Sequence, residues 1–218
     1  MLLKFEKWDL AVNAEMGPVD SSWDFLEEIR LRLLLRALEI IKQIDNQLEI
    51  SLRISDPWGQ YHGAGGYLLT PFQFVDMLTR SRGNVTSLKL VFTDAYQDGK
   101  TPAMDWLELS RLIDYWAALG IPLKVILAAP SSGDSIPHAR YQVDADQAHL
   151  TSPQTQLEWY QKAISLMCAK ESVTGIQFEH LDDRFSHLYA SAGFIDQLGM
   201  TKTSLEQIAR YRTFDWKP

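Results

Sequence analysis

"VTGIQFEHLDDRFSHLYASAGFID", residues 173–196, decides how the rest of the chain is read. It opens as an apolar strand, Val173 to Phe178, expected to be buried. It then releases Glu179, His180, Asp182, Asp183, Arg184 and His187 in one burst. A strand that delivers titratable groups at its C-terminal end suits a parallel sheet, because ligands of such sheets gather outside the carboxyl ends of the strands.

The same unit recurs upstream. "FEKWDLAVNAE" is an extended stretch ending in Asn13 and Glu15, and "MGPVD" is a turn. Ser21 to Asp24 can form a capping box, and Leu26, Ile29, Leu33, Ala37, Ile40 and Ile44 recur at helical spacing, predicting a helix over about residues 22–45. "LEISLRI" is a strand that ends in "SDPWGQYHGAGGY", where Pro57 and the glycines 63, 65 and 66 stop regular structure. "PFQFVDMLTRS" is helical, and the strand "VTSLKLVF" runs into "TDAYQDGKT". The next helix carries Trp106, Leu109, Ile113 and Trp116 on one side and stops at Gly120. "IPLKVILAA" is a strand followed by a long polar loop. Ser152-Pro153 then opens a helix whose buried face is Leu157, Tyr160, Ile164 and Met167, with proline at the first position, where no amide partner is lost. "KTSLEQIARYR" closes the series as a helix.

Near-continuous apolar strands alternating with amphipathic helices predict a parallel sheet covered by helices, in a single domain over residues 1–218. Polar and aromatic residues collect at the strand ends: Asn13 and Glu15; Asp56, Trp58, Tyr61 and His62; Asp94 and Tyr96; Ser131 and Ser132; then the burst from Glu179. A site with its strand tips converging on one side is expected there.

Composition narrows the function. The net charge is -7, and no dense Lys/Arg block interrupts it, which argues against nucleic acid. No window approaches the roughly 18 apolar residues of a membrane span. The N-terminal run is too short and too charged for a signal peptide, so a cytoplasmic location is the default, with secretion the alternative if an upstream segment is missing. The one cysteine, Cys168, excludes an internal disulfide and reads as core. "GAGG" lacks the Lys-Ser/Thr of a phosphate loop. Glu179, His180, Asp182 and Asp183 alternate along an extended segment, which scatters them, so neither a metal nor a cofactor is expected.

"IQFEHLDDRFSH", residues 176–187, resembles the eighth strand of glycoside hydrolase family 10, the endo-β-1,4-xylanases, written "ITFWGLTDRYSW". Ile176, Phe178, Leu181, Asp183, Arg184 and Ser186 match, and Phe185 stands for Tyr. "AGFIDQLGMTKTSLEQIARYR" is similar to the family's ending, and "WDLAVNAE" to its "WDVVNE" motif. The wording "ISDPWGQY" is nearer to divergent bacterial members. The resemblance implies a (β/α)8 TIM-barrel type, of which this chain would hold about five C-terminal strand-helix units. The first three units would come from a longer native chain or another polypeptide, or the open sheet edges would self-associate.

It further implies a polysaccharide or oligosaccharide partner and hydrolysis of O-glycosidic bonds in β-1,4-xylan or a related polymer. Retaining glycosidases use two carboxyl groups about 5–5.5 Å apart. Glu15 would be the acid/base, whereas Leu127 or Ala128 falls where the family has its nucleophilic Glu. Glu179 replaces a Trp that walls the sugar site, and could bond a hydroxyl or take the lost nucleophile's place. Asn13, Asp56, Trp58, Tyr61, Asp94, Tyr96, His180, Asp183 and Arg184 are the substrate-binding candidates. Trp58, Tyr61 and Tyr96 could equally pack, and Asp183 and Arg184 read first as a structural ion pair or backbone anchor at the strand end. A non-catalytic sugar-binding descendant is the alternative.

Overall fold

The computed structural model describes residues 7–11, 27–55, 57–58, 70–81, 85–96, 105–185 and 187–211. The elements are β1 (Lys7–Ala11), α1 (Glu27–Ile44), β2 (Glu49–Ile54), α2 (Pro71–Arg80), β3 (Ser87–Thr93), α3 (Trp106–Ala117), β4 (Leu123–Ala128), β5 (Ala139–Tyr141), α4 (Pro153–Cys168), β6 (Val173–Phe178), β7 (His187–Tyr189) and α5 (Thr203–Tyr211). Hydrogen bonding orders five strands as β1-β2-β3-β4-β6, and β5 pairs with β7 in a second, two-stranded sheet. Strands therefore alternate with helices as the sequence predicts. The proposed capping box at Ser21–Asp24 lies outside the described residues. The chain divides into two compact units, residues 1–91 with 107–124, and residues 92–106 with 125–218, the division falling within β3 and β4.

In the first unit β1 pairs parallel with β2, and β2 parallel with β3. β2 and β3 are not continuously apolar. Ile50, Leu52, Ile54, Leu88 and Leu90 are fully buried, and they alternate with Ser51, Arg53, Ser87 and Lys89. The register sets like against like: Leu52 beside Leu88, Ser51 beside Ser87, Arg53 beside Lys89. The two buried serine hydroxyls meet at 2.6 Å, one donating to the other away from water. α2 begins with a capping box: Thr70 Oγ1 accepts from the Gln73 amide, and Gln73 Oε1 accepts from the Thr70 amide. Trp116 on α3 is fully buried, and its indole N–H donates to Pro57 O at 2.8 Å, which ties the helix to the segment after β2.

α1 forms within the span that helical spacing predicts. Among its described side chains Leu31, Leu38 and Ile41 are buried, while Ile29, Leu33, Ile40 and Ile44 are exposed. The helix is apolar on two sides, and spacing by itself names no buried face.

In the second unit α4 opens as expected. Ser152 Oγ accepts from the Thr155 amide, Thr155 Oγ1 accepts from the Ser152 amide, and Pro153 takes the first position. Leu157, Tyr160, Ile164 and Met167 are all buried. Cys168, expected in the core, is exposed at the end of this helix. β6 is not buried either: Val173, Gly175, Ile176 and Phe178 are half-exposed, and Thr174 and Gln177 exposed. It is the last strand in the described order, so an apolar run that reads as central occupies an edge.

Candidate active site

In the second unit the ends of β3, β4 and β6 meet. The Asp94 amide donates to Ala128 O at 3.1 Å, and the Glu179 amide donates to Leu127 O at 3.1 Å. Asp94 and Glu179 thus leave the sheet on either side of the end of β4. Alternation along β6 sends Phe178 and Glu179 to opposite faces. Phe178 packs edge-on against Tyr160 of α4 at 5.3 Å, so Glu179 points away from that helix. Glu179 is half-buried.

The end of β4 is anchored from below. Ala129 N–H donates to the Tyr160 hydroxyl at 3.1 Å, and Ala129 O accepts from Gln156 Nε2 at 2.8 Å. Gln156 is held in turn by Ser204 Oγ of α5 at 2.9 Å. Burial pushes the Tyr160 phenol well above its usual range, which keeps it a neutral hydrogen-bonding group. Leu127 and Ala128 are fully buried, so no carboxylate stands where the family resemblance requires the nucleophile.

β3 ends in a bend at Ala95, which has a φ of 60°. A side chain rarely adopts that left-handed conformation, and here it is held because Ala95 O accepts from the Asp144 amide and Tyr96 bridges Val143. The bend leaves Asp94 half-buried, and burial raises its carboxyl above the ordinary aspartate value. Tyr96 turns inward instead: it is 4% exposed, its hydroxyl donates to Ala190 O at 2.9 Å, and its ring packs on Tyr189. Of its two sequence readings, packing is the one its surroundings match.

His180 is half-buried, and its Nε2 accepts from the Tyr189 amide at 3.2 Å, which in the neutral ring puts the proton on Nδ1. Asp183 and Arg184 take part in separate ion pairs. Asp183, 2% exposed, accepts from Lys202 Nζ at 2.5 Å through one oxygen and from the Gly193 amide at 2.7 Å through the other. Lys202 also donates to Gly193 O and Ser191 O. Burial pushes the Lys202 ammonium down, against the opposing pull of Asp183. Arg184 is exposed and pairs in a fork with Asp182, which raises its guanidinium further. These pairs fix the loop after β6.

Among the catalytic candidates Glu179 is placed, and Glu15 lies outside the described residues. Asn13, Asp56 and Tyr61 also lie outside them, and Trp58 is half-buried in the first unit. Ser131 is enclosed, donating to Ser191 O at 3.1 Å. Sequence reasoning missed Gln156, Tyr160 and Lys202, which hold the strand ends. Gln156 and Lys202 look like solvent-facing helix residues in the sequence, and only their burial shows the role. Arg53 and Lys89, adjacent on one face in the first unit, were absorbed into strands read as apolar. Among the described residues no group of three His, Cys, Asp or Glu side chains gathers to hold a metal.

No protein-family model and no curated protein matches the chain. Solved structures do. A Lactobacillus rhamnosus β-glucuronidase matches 87% of this chain at 11% identity and a TM-score of 0.54, over 30% of its own length. A fungal β-1,4-galactanase gives 84%, 18% and 0.54, over 55% of its chain. A Sorangium cellulosum endo-β-1,3-glucanase gives 84%, 14% and 0.52, over 62%. The chain therefore spans less than two-thirds of the length of these structures. At such identities the likeness is one of fold: a parallel sheet with alternating helices, matching part of a (β/α)8 TIM-barrel chain.

Proposed function

We propose that the chain is a glycoside hydrolase-like domain of the family 10 kind, acting on O-glycosidic bonds of β-1,4-xylan or a related β-linked polysaccharide. The observation that carries the reading is the pair of carboxyls at the end of β4, Asp94 on one side and Glu179 on the other. It is supported by a fold shared with a β-glucuronidase, a β-1,4-galactanase and an endo-β-1,3-glucanase, and by the match between residues 176–187 and the family's last strand. Glu179 is the carboxylate presented to the sugar. Asp94 keeps its proton to a higher pH than an ordinary aspartate and donates it in a hydrogen bond to a sugar oxygen. His180 stands beside Glu179, its ring held by the Tyr189 amide.

A second reading, binding without turnover, is favoured by Leu127 and Ala128, which fill the nucleophile's place with buried apolar groups. Both readings are tested with soluble xylan, β-1,4-galactan and β-1,3-glucan. Reducing-sugar release that is lost in Glu179→Gln supports hydrolysis. Retardation in a polysaccharide-containing native gel without release supports the binding form. Neither retardation nor release on any of the three polymers would sink the proposal.

A further inference from the structure

Ala129, the first residue after β4, is fully buried, so its amide and carbonyl need partners away from water. Both find side chains of α4. The Tyr160 hydroxyl accepts from Ala129 N–H at 3.1 Å, and Gln156 Nε2 donates to Ala129 O at 2.8 Å. Residues 156 and 160 are four apart and share one side of the helix, so about one turn of α4 grips both backbone groups of a single residue. Gln156 is 1% exposed, and its amide is engaged at both ends: Nε2 also reaches Ser191 O at 3.4 Å, and Oε1 accepts from Ser204 Oγ at 2.9 Å. The Tyr160 hydroxyl donates onward to Ala192 O at 3.4 Å. Apolar side chains would fill the same space with no polar group to desolvate, so what the amide and hydroxyl add is a fixed place for Ala129.

That place bears on Asp94. The Asp94 amide donates to the carbonyl of Ala128, one residue before the gripped Ala129. The Asp94 carboxyl also stands near enough to Tyr160 for its charge to help keep that phenol protonated. We propose, on the glycoside hydrolase reading of the site, that Gln156 and Tyr160 are positioning residues for Asp94: by gripping Ala129 from α4 they hold the end of β4, and with it Asp94, in the half-buried place from which it meets a sugar. Neither side chain touches the sugar; both act through the backbone. Loosening the grip lets the strand end move and admits water to Asp94, whose proton is held by burial.

Carboxyl-carbon NMR of residues 1–218 follows Asp94 through a pH titration with no sugar present. In Gln156→Met and in Tyr160→Phe its midpoint is expected to fall from the parent's toward the ordinary 3.8. Gln156→Glu is expected to keep the parent's midpoint, because a buried, neutral glutamic acid can still donate to Ala129 O and accept from Ser204. Ser152→Ala, which weakens the start of α4 without touching Ala129, is expected to keep it as well. Tyr160→Phe retains the ring, so the test stands even where Gln156→Met does not fold. With a polysaccharide that the parent cleaves, kcat/KM per folded molecule is expected to fall about tenfold or more in Gln156→Met and Tyr160→Phe and to hold in Ser152→Ala. A midpoint unmoved in both grip variants overturns the proposal. So does one that moves as far in Ser152→Ala, which would make the grip general packing of α4, and so does a moved midpoint with kcat/KM unchanged. A parent that neither binds nor cleaves a polysaccharide sinks the sugar reading instead, and the titration still decides whether the grip on Ala129 sets Asp94.

Discussion

Asp183 and Lys202 show how a residue's surroundings assign its role. Lys202 reaches Asp183 and two backbone carbonyls from the start of α5, so the loop after β6 is closed onto that helix by one buried ammonium. Removing one partner leaves the other charge buried and uncompensated. Lys202→Met is therefore expected to cost about 3–5 kcal/mol in a urea titration, and a loss below about 1 kcal/mol would show the pair to be dispensable. Gly193 belongs to the same lock, since a Cβ there would stand 2.6 Å from Asp183 Oδ1. Asp94 makes the opposite kind of prediction. The folded protein holds its proton more tightly than the unfolded chain does. Its contribution is fully present below the ordinary value of 3.8 and is lost as pH rises through the raised value. Asp94→Asn cannot ionise, so the variant should gain stability relative to the parent across that rise. Parallel stability–pH curves for the two proteins would refute the buried proton.

At the scale of the element, helix starts were legible and helix faces less so. Ser152-Pro153 announces α4 in the sequence, and the reciprocal bonds with Thr155 confirm it. Ser152→Ala removes an acceptor for an otherwise free amide and should cost about 1 kcal/mol, read as a lower urea midpoint with an unchanged slope. The buried face of α4 was legible because only one of its faces is apolar. That of α1 was not, because Leu and Ile occupy most of its circumference, and spacing alone cannot choose between two lanes. β6 repeats the lesson in a strand. "VTGIQF" has the composition of a covered strand, but its place at the end of the strand order leaves it half-exposed.

For the whole molecule, the alternation of strands and helices is matched by structures that share under a fifth of its residues. A sugar that binds the folded state adds to its stability by mass action: at a hundredfold excess over Kd the gain is about 2.7 kcal/mol. For a chain of this size that is a rise of about 5–10 °C in Tm. An oligosaccharide cut from the polymer that binds should produce the shift in the parent protein and a smaller one in Glu179→Gln. An unchanged melting curve with saturating oligosaccharide would count against a sugar site at these strand ends.

The sequence by itself determined the order of the five main strands and their helices, their parallel character, the caps of α4 and the delivery of Glu179 at a strand end; the short β5 and β7, in stretches read as loop, it did not show. All of these follow from local periodicity and from the way side-chain oxygens satisfy free amides. Only the tertiary structure decided that Asp94 and Glu179 flank the end of β4, that Asp183 belongs to Lys202, and that α1 turns a second apolar lane outward. Those facts rest on contacts between residues far apart in the chain, where burial and hydrogen-bond satisfaction, rather than spacing, choose among the faces a segment offers.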